Sequence, residues 1–233
     1  MPSSLAQDWR SRLAKWEQVI RPAPRWLTTG WKPLDELLPG GGFRAGSLVE
    51  WLSPRLGSGG MMLAVMACLK WASQGRRVVV IDPEKEFYPP AIPMHRSLLI
   101  VRPGNQRELL WTWEQVLRCR AVGACVGRID RAPEKAFRRL SLAAERAEVM
   151  GMILRAESAR QEPSWAEARL LVEPRSFSES ASSSRPLRLS LLRARGVIGG
   201  SSVEVCWNED AHSLSLDSRV GHPTASGLPY RAS

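Results

Sequence analysis

The sequence predicts an α/β fold: a mostly parallel, twisted sheet with helices on both faces and antiparallel strands at its C-terminal edge. Three observations carry this. Between residues 48 and 154, short Val-, Ile- and Leu-rich runs exchange with helical stretches at the spacing of βαβ units. The run Arg77 to Ile81 is apolar without alternation, as in a parallel strand covered on both faces. Leu187 to Arg193 and Ser202 to Trp207 instead alternate apolar and polar residues, as an antiparallel pair does.

Each element follows in order. Leu5, Trp9, Leu13, Trp16 and Ile20 recur at spacings of three and four, one apolar stripe on a helix that Pro22 and Pro24 end, so residues 1–24 are an N-terminal helix and linker. The stripe is expected to dock on its own domain. In an assembly-forming protein it would dock on a neighbour. A short helical turn from Pro33 enters the tight turn Pro39-Gly40-Gly41-Gly42. Strand Leu48 to Leu52, loop Ser53 to Met61 and a buried helix Gly60 to Ser73 follow, with Gly75 just past the helix end. Then come strand Arg77 to Ile81, strand Leu98 to Val101, helix Gln106 to Arg120, strand Val122 to Ile129, helix Pro133 to Val149 and strand Gly151 to Leu154. Arg169 to Val172 reads as a strand, residues 174–186 as a flexible Ser-rich loop, and His212 to Leu216 as a last strand. The core therefore spans residues 25–217, and residues 218–233 are expected to be disordered.

Composition bounds the partners. The chain has 233 residues, 44% of them hydrophobic, enough for one substantial core, and a formal net charge of +10. That charge points to nucleic acid or an acidic protein face, against the plainer reading of solubilising surface arginines. No apolar run is long enough to span a bilayer and the N-terminus lacks a signal-peptide layout, so no membrane partner and a cytoplasmic location are expected. Cys68, Cys119, Cys125 and Cys206 form no C-x-x-C pair and read as core residues. His95, His212 and His222 are isolated, so neither a metal site nor a His-activated nucleophile is expected.

The most informative segment is Ser53-Pro54-Arg55-Leu56-Gly57-Ser58-Gly59-Gly60-Met61. A phosphate-binding loop reads G-x-x-x-x-G-K-[ST] between a strand and a helix. Its backbone N–H groups cradle phosphates, its Lys neutralises them and its hydroxyl holds Mg²⁺. Here Gly60 and Met61 stand in place of the Lys and the Ser/Thr, and Leu56 is an extra residue. Without one charge-assisted hydrogen bond, binding weakens by about 1.5 to 3 kcal/mol, before the missing metal ligand is counted. Lys70 lies about 15 Å along the helix from Gly60, too far to substitute, and Arg55 sits on the entering side of the loop, facing solvent. The chain is therefore expected to be no enzyme and to need no ATP cofactor. Weak phosphate binding through backbone N–H groups stays open.

The ordered set Thr29-Gly30, Leu34-Asp35, Gly40-Gly41-Gly42, Gly46, Val49-Glu50, Gly57-Ser58-Gly59 and Ile81-Asp82-Pro83-Glu84 resembles the core of RecA-type recombinases, over residues 25 to 210. Within that superfamily, Leu37-Leu38-Pro39-Gly40-Gly41-Gly42, the run Arg138 to Glu145, and Leu191-Leu192-Arg193-Ala194-Arg195-Gly196 resemble the ImuA family of bacterial translesion-synthesis accessory proteins. The resemblance implies a RecA-like P-loop fold and a non-catalytic adaptor in the DNA damage (SOS) response and in damage-induced mutagenesis. Its partners would be an ImuB-type polymerase-like protein and an alternative DnaE-type polymerase, with RecA and single-stranded DNA as further candidates. A divergent DNA-dependent ATPase is the alternative. By the resemblance, Glu84 and Asp130 match the water-activating and Mg²⁺-holding acids of recombinases. Without a loop Lys they are expected to be vestigial, capping helices or pairing with arginines.

Two surfaces are candidates for binding. Arg185, Arg188, Arg193 and Arg195 lie on and beside one C-terminal strand and could follow a phosphate backbone, with Trp165, Trp207 or Phe177 as stacking faces. Trp9, Leu13 and Trp16 resemble in placement the segment that recombinases use between protomers. Among the ten tryptophans, Trp111 and Trp113 share a helix and cannot face the same core.

Overall fold

Apolar side chains on both faces, Leu48, Val49, Trp51 and Leu52, leave the run Leu48–Ser53 (β3) no solvent face, and it takes a central place in the sheet, buried up to Leu52. The structure is a computed structural model that describes residues 8–9, 12, 24–55, 57–72, 75–88, 98–175, 184–208 and 210–216. Asp8, Trp9 and Arg12 are helical and exposed. Leu5, Leu13, Trp16 and Ile20 of the N-terminal stripe lie outside the described residues, as do Leu56, His95, Phe177, residues 176–183 of the Ser-rich segment, His222 and the tail from 217.

Before β3, a two-stranded ribbon pairs Trp26–Leu27 (β1) with Phe43–Arg44 (β2), and Lys32–Leu37 (α1) lies between them. The Asp35 carboxylate accepts from the Thr29 amide at 2.7 Å, the Thr29 hydroxyl at 2.8 Å and the Gly30 amide at 3.0 Å, which fixes the turn ahead of α1. After β3 come Gly60–Ala72 (α2), Arg77–Ile81 (β4), Leu98–Val101 (β5), Gln106–Arg118 (α3), Val122–Arg128 (β6), Glu134–Ala147 (α4) and Met150–Ala156 (β7). A short 3₁₀ turn at Glu157–Gln161 leads to Ala168–Pro174 (β8), Ser184–Ala194 (β9), Val197–Ile198 (β10), Ser202–Asn208 (β11) and Ser213–Leu216 (β12).

The large sheet runs β12-β11-β9-β8-β3-β7-β6-β4-β5, with β10 paired to β9. From β8 to β5 every pair is parallel; β9, β11 and β12 add antiparallel neighbours at the other edge. Side-chain alternation then sorts the core into two layers. Val78 and Val80 of β4 join Val49, Trp51 and Met152 beneath α1 and α2, whereas Val79 and Ile81 join Leu48, Cys125 and Ile153 beneath α3 and α4. The expected α/β architecture, with a mostly parallel sheet, helices on both faces and an antiparallel C-terminal edge, is what forms.

Several expectations are corrected. Ser184, Arg185 and Pro186, read as loop, belong to β9, because they pair with Asn208, Trp207 and Cys206 of β11. The β1–β2 ribbon, β10 and the 3₁₀ turn had no periodic signal. Of the four cysteines, Cys68 and Cys125 are core residues, but Cys206 is half-buried and Cys119 is exposed, since α3 ends just before it. Burial pushes the Cys68 and Cys125 thiols well above the ordinary thiol range. At neutral pH an aromatic disulfide reagent is therefore expected to modify Cys119 in the native protein, and Cys68 and Cys125 only after denaturation, read from the absorbance of the released thiolate.

Candidate functional site

Ligand clefts of open parallel sheets lie at the carboxyl ends of the strands, and a mostly apolar cavity of about 570 Å³ lies there. Its wall comes from the loop after β3, the segment after β4, the ends of β6 and β7, and the start of β9. Ser53, Gly57, Ser58, Gly59, Gly60 and Met61 all line it, so the loop singled out in the sequence is one side of a real cleft. Gly57 (φ +79°) and Gly59 (φ +95°) take left-handed conformations that side chains with a Cβ resist, and this lets the chain double back into α2. The Ser58 hydroxyl donates to the Arg55 carbonyl at 2.7 Å and so closes the loop on itself.

Chemistry at the loop differs from that of a phosphate site. Met61, Met62 and Val65 of α2, with Phe87 and Leu154, give the cavity an apolar floor where a lysine and a hydroxyl would stand. A Cβ on Gly60 would sit 2.9 Å from the Ser53 hydroxyl oxygen, so any side chain there must displace Ser53. Lys70 is indeed remote, for its ammonium occupies the space beside Gly30. Arg55 is exposed, but it lines the rim of the cavity rather than standing clear of it.

The two acids are not brought together. Glu84 lines the cavity and is exposed, with no ion pair among the described residues. Asp130 lies outside the cavity wall, where its carboxylate accepts from Arg128 Nε at 2.7 Å; the pairing with an arginine is as expected, the capping or pairing of Glu84 is not. The acid that does organise this region is the buried Asp82, which accepts from the Glu86 and Phe87 amides and faces Arg102 at 3.4 Å.

Nor do the four C-terminal arginines form one patch. Arg185 lines the cavity, whereas Arg188, three residues on and therefore on the other face of β9, pairs with Glu204 at 3.4 Å. Arg193 reaches the Ser164 carbonyl and Arg195 pairs with Glu167 at 3.8 Å, at the far end of the strand. Trp207 is buried edge-on against Trp31 and offers no stacking face, while Trp165 is exposed beneath Arg138.

The sequence reading missed a buried charge cluster beside the cavity. Glu50 of β3, 1% exposed, faces Arg169 of β8 at 2.6 Å and Arg155 of β7 at 3.4 Å, and Arg155 also pairs with Glu162. Arg155 covers the Phe137 ring, donates to the Asp130 carbonyl at 3.0 Å and reaches the cavity wall. The available signal was a carboxylate in the middle of an apolar strand.

No helix of the described residues is long and apolar enough to cross a membrane, and they hold no cluster of three or more His, Cys, Asp or Glu side chains able to bind a metal. No protein-family model matches the chain, and no curated protein does.

Proposed function

We propose that the chain is a non-catalytic RecA-like adaptor of the ImuA type, acting in damage-induced translesion synthesis and mutagenesis in the cytoplasm. In this reading it joins an ImuB-type polymerase-like protein and an alternative DnaE-type polymerase, with RecA or single-stranded DNA as further partners. The observation that carries the proposal is the apolar floor at Gly60 and Met61: a strand, glycine loop and helix in the order of a nucleotide site, with Gly60 and Met61 where its lysine and metal-holding hydroxyl would stand. The strand order supports the RecA-like reading. Within the parallel part, the first strand β3 is flanked by the fifth, β7, and the sixth, β8, and the order continues through the fourth and second to the third.

A divergent ATPase is the second reading, favoured by Glu84 on the cavity wall beside Arg128 and Arg185. Titration of the purified chain with Mg-ATP separates them. The adaptor predicts no binding at millimolar nucleotide, and co-purification of a polymerase-like partner from damaged cells. Micromolar affinity with turnover abolished in Glu84→Gln would instead establish the enzyme.

A further inference from the structure

The helices α3 and α4 pack side by side over the sheet, and the seam between them is an open groove on the far side from the Gly60 loop. Three clefts run along it. The first is bounded by Arg118, Arg120, Arg139 and Arg146, the second by Arg107, Trp111 and Arg139, and the third by Arg107 and Arg131. Neighbouring clefts share Arg139 or Arg107, so the groove is continuous over the length of both helices, about 20 Å.

All six arginines are exposed. Only two carboxylates share the groove. Asp130 is held by Arg128, and Glu114, 6% exposed, pairs with both Arg118 (2.5 Å) and Arg139. One buried carboxylate against two guanidinium groups fixes their planes and leaves surplus positive charge. Arg107, Arg120, Arg131 and Arg146 make no ion pair among the described residues. At the Arg120 end the crowding extends to Arg76, which donates to the Arg120, Ala147 and Glu148 carbonyls. Halfway along stands Trp111, 62% exposed, an indole face with arginines to either side.

We propose that the α3–α4 groove binds single-stranded nucleic acid, its arginines following the phosphates and Trp111 stacking on a base. A charged groove with an aromatic platform is the arrangement that holds an unpaired strand. A paired duplex keeps its base faces stacked and would leave Trp111 unused. An acidic protein segment would use the charges and likewise leave the indole in water. The inference gives a surface to the single-stranded DNA that the adaptor reading names as a further partner, but it rests on the helix face opposite α2 and not on the Gly60 cavity that carries that reading.

The test is fluorescence anisotropy of a labelled oligothymidylate of about 16 nucleotides with the full chain over a series of salt concentrations. Replacing Arg107, Arg120, Arg131 and Arg146 together by Ala should flatten the slope of log affinity against log salt by about 0.7 for each phosphate that is no longer neutralised. Trp111→Ala should weaken binding by about 5- to 150-fold at every salt concentration and leave the slope unchanged. Arg188→Ala with Arg195→Ala should alter neither. Arg188 is half-buried and the other positions are exposed, and thermal melting confirms that each variant is folded. Unchanged anisotropy in the four-arginine variant, or displacement of the oligonucleotide by polyglutamate as readily as by unlabelled strand, would overturn the proposal.

Discussion

Replacing Glu50 by Ala is expected to lower the free energy of unfolding by about 3 to 5 kcal/mol, the cost of leaving the buried Arg169 guanidinium without its counter-ion and Arg155 with Glu162 alone. Arg155 and Arg169 are held within the sheet, with side chains 1% and 8% exposed, and cannot swing out to water. The check is urea denaturation: the midpoint should fall while the slope stays constant. A second readout follows from connectivity. Arg169 also donates to the Arg160 and Glu162 carbonyls, so the Glu50 cluster ties the 3₁₀ turn down onto β8. In Glu50→Ala that segment should loosen and trypsin should cut faster after Arg160 than in the parent chain. Retention of full stability would mean that water reaches Arg155 and Arg169.

The cluster also shows where sequence reasoning stops. Strands β4 and β6 were legible because each is an uninterrupted apolar run, and the β9–β11 pair because both alternate. The loop at Gly57 to Gly60 was legible because its glycines fall between such a strand and a helix. The rest of the cavity was not. Arg128, Arg155 and Arg185 are far apart in sequence, and only the strand order brings their elements to one wall. Likewise, an arginine row on one strand read as a patch, but the pleat sends Arg185 and Arg188 to opposite faces, and Glu204 and Glu167 take up two of the charges. The α3–α4 groove escaped for the converse reason. Its arginines are scattered over about forty positions, from Arg107 to Arg146, and meet only where two helices pack.

One pair on α3 separates the two uses to which this chain puts tryptophan. Trp113→Ala is expected to cost about 3 to 5 kcal/mol, while Trp111→Ala should change stability by less than about 0.5 kcal/mol. Two residues advance a helix by about 200°, which drives Trp113 into the layer with Leu48, Leu117 and Ile153 and turns Trp111 outward. The Trp113 indole N–H is buried without an acceptor among the described residues, so Trp113→Phe recovers part of the loss by removing an orphaned donor along with some apolar area. Stability should therefore fall in the order parent, Phe, Ala at 113, measured by denaturant midpoint, with oligonucleotide affinity unchanged in the folded Phe variant. At 111 the dependence inverts, affinity falling while the midpoint holds. An equal stability loss at both positions would place Trp111 in the core and remove the stacking face from the groove.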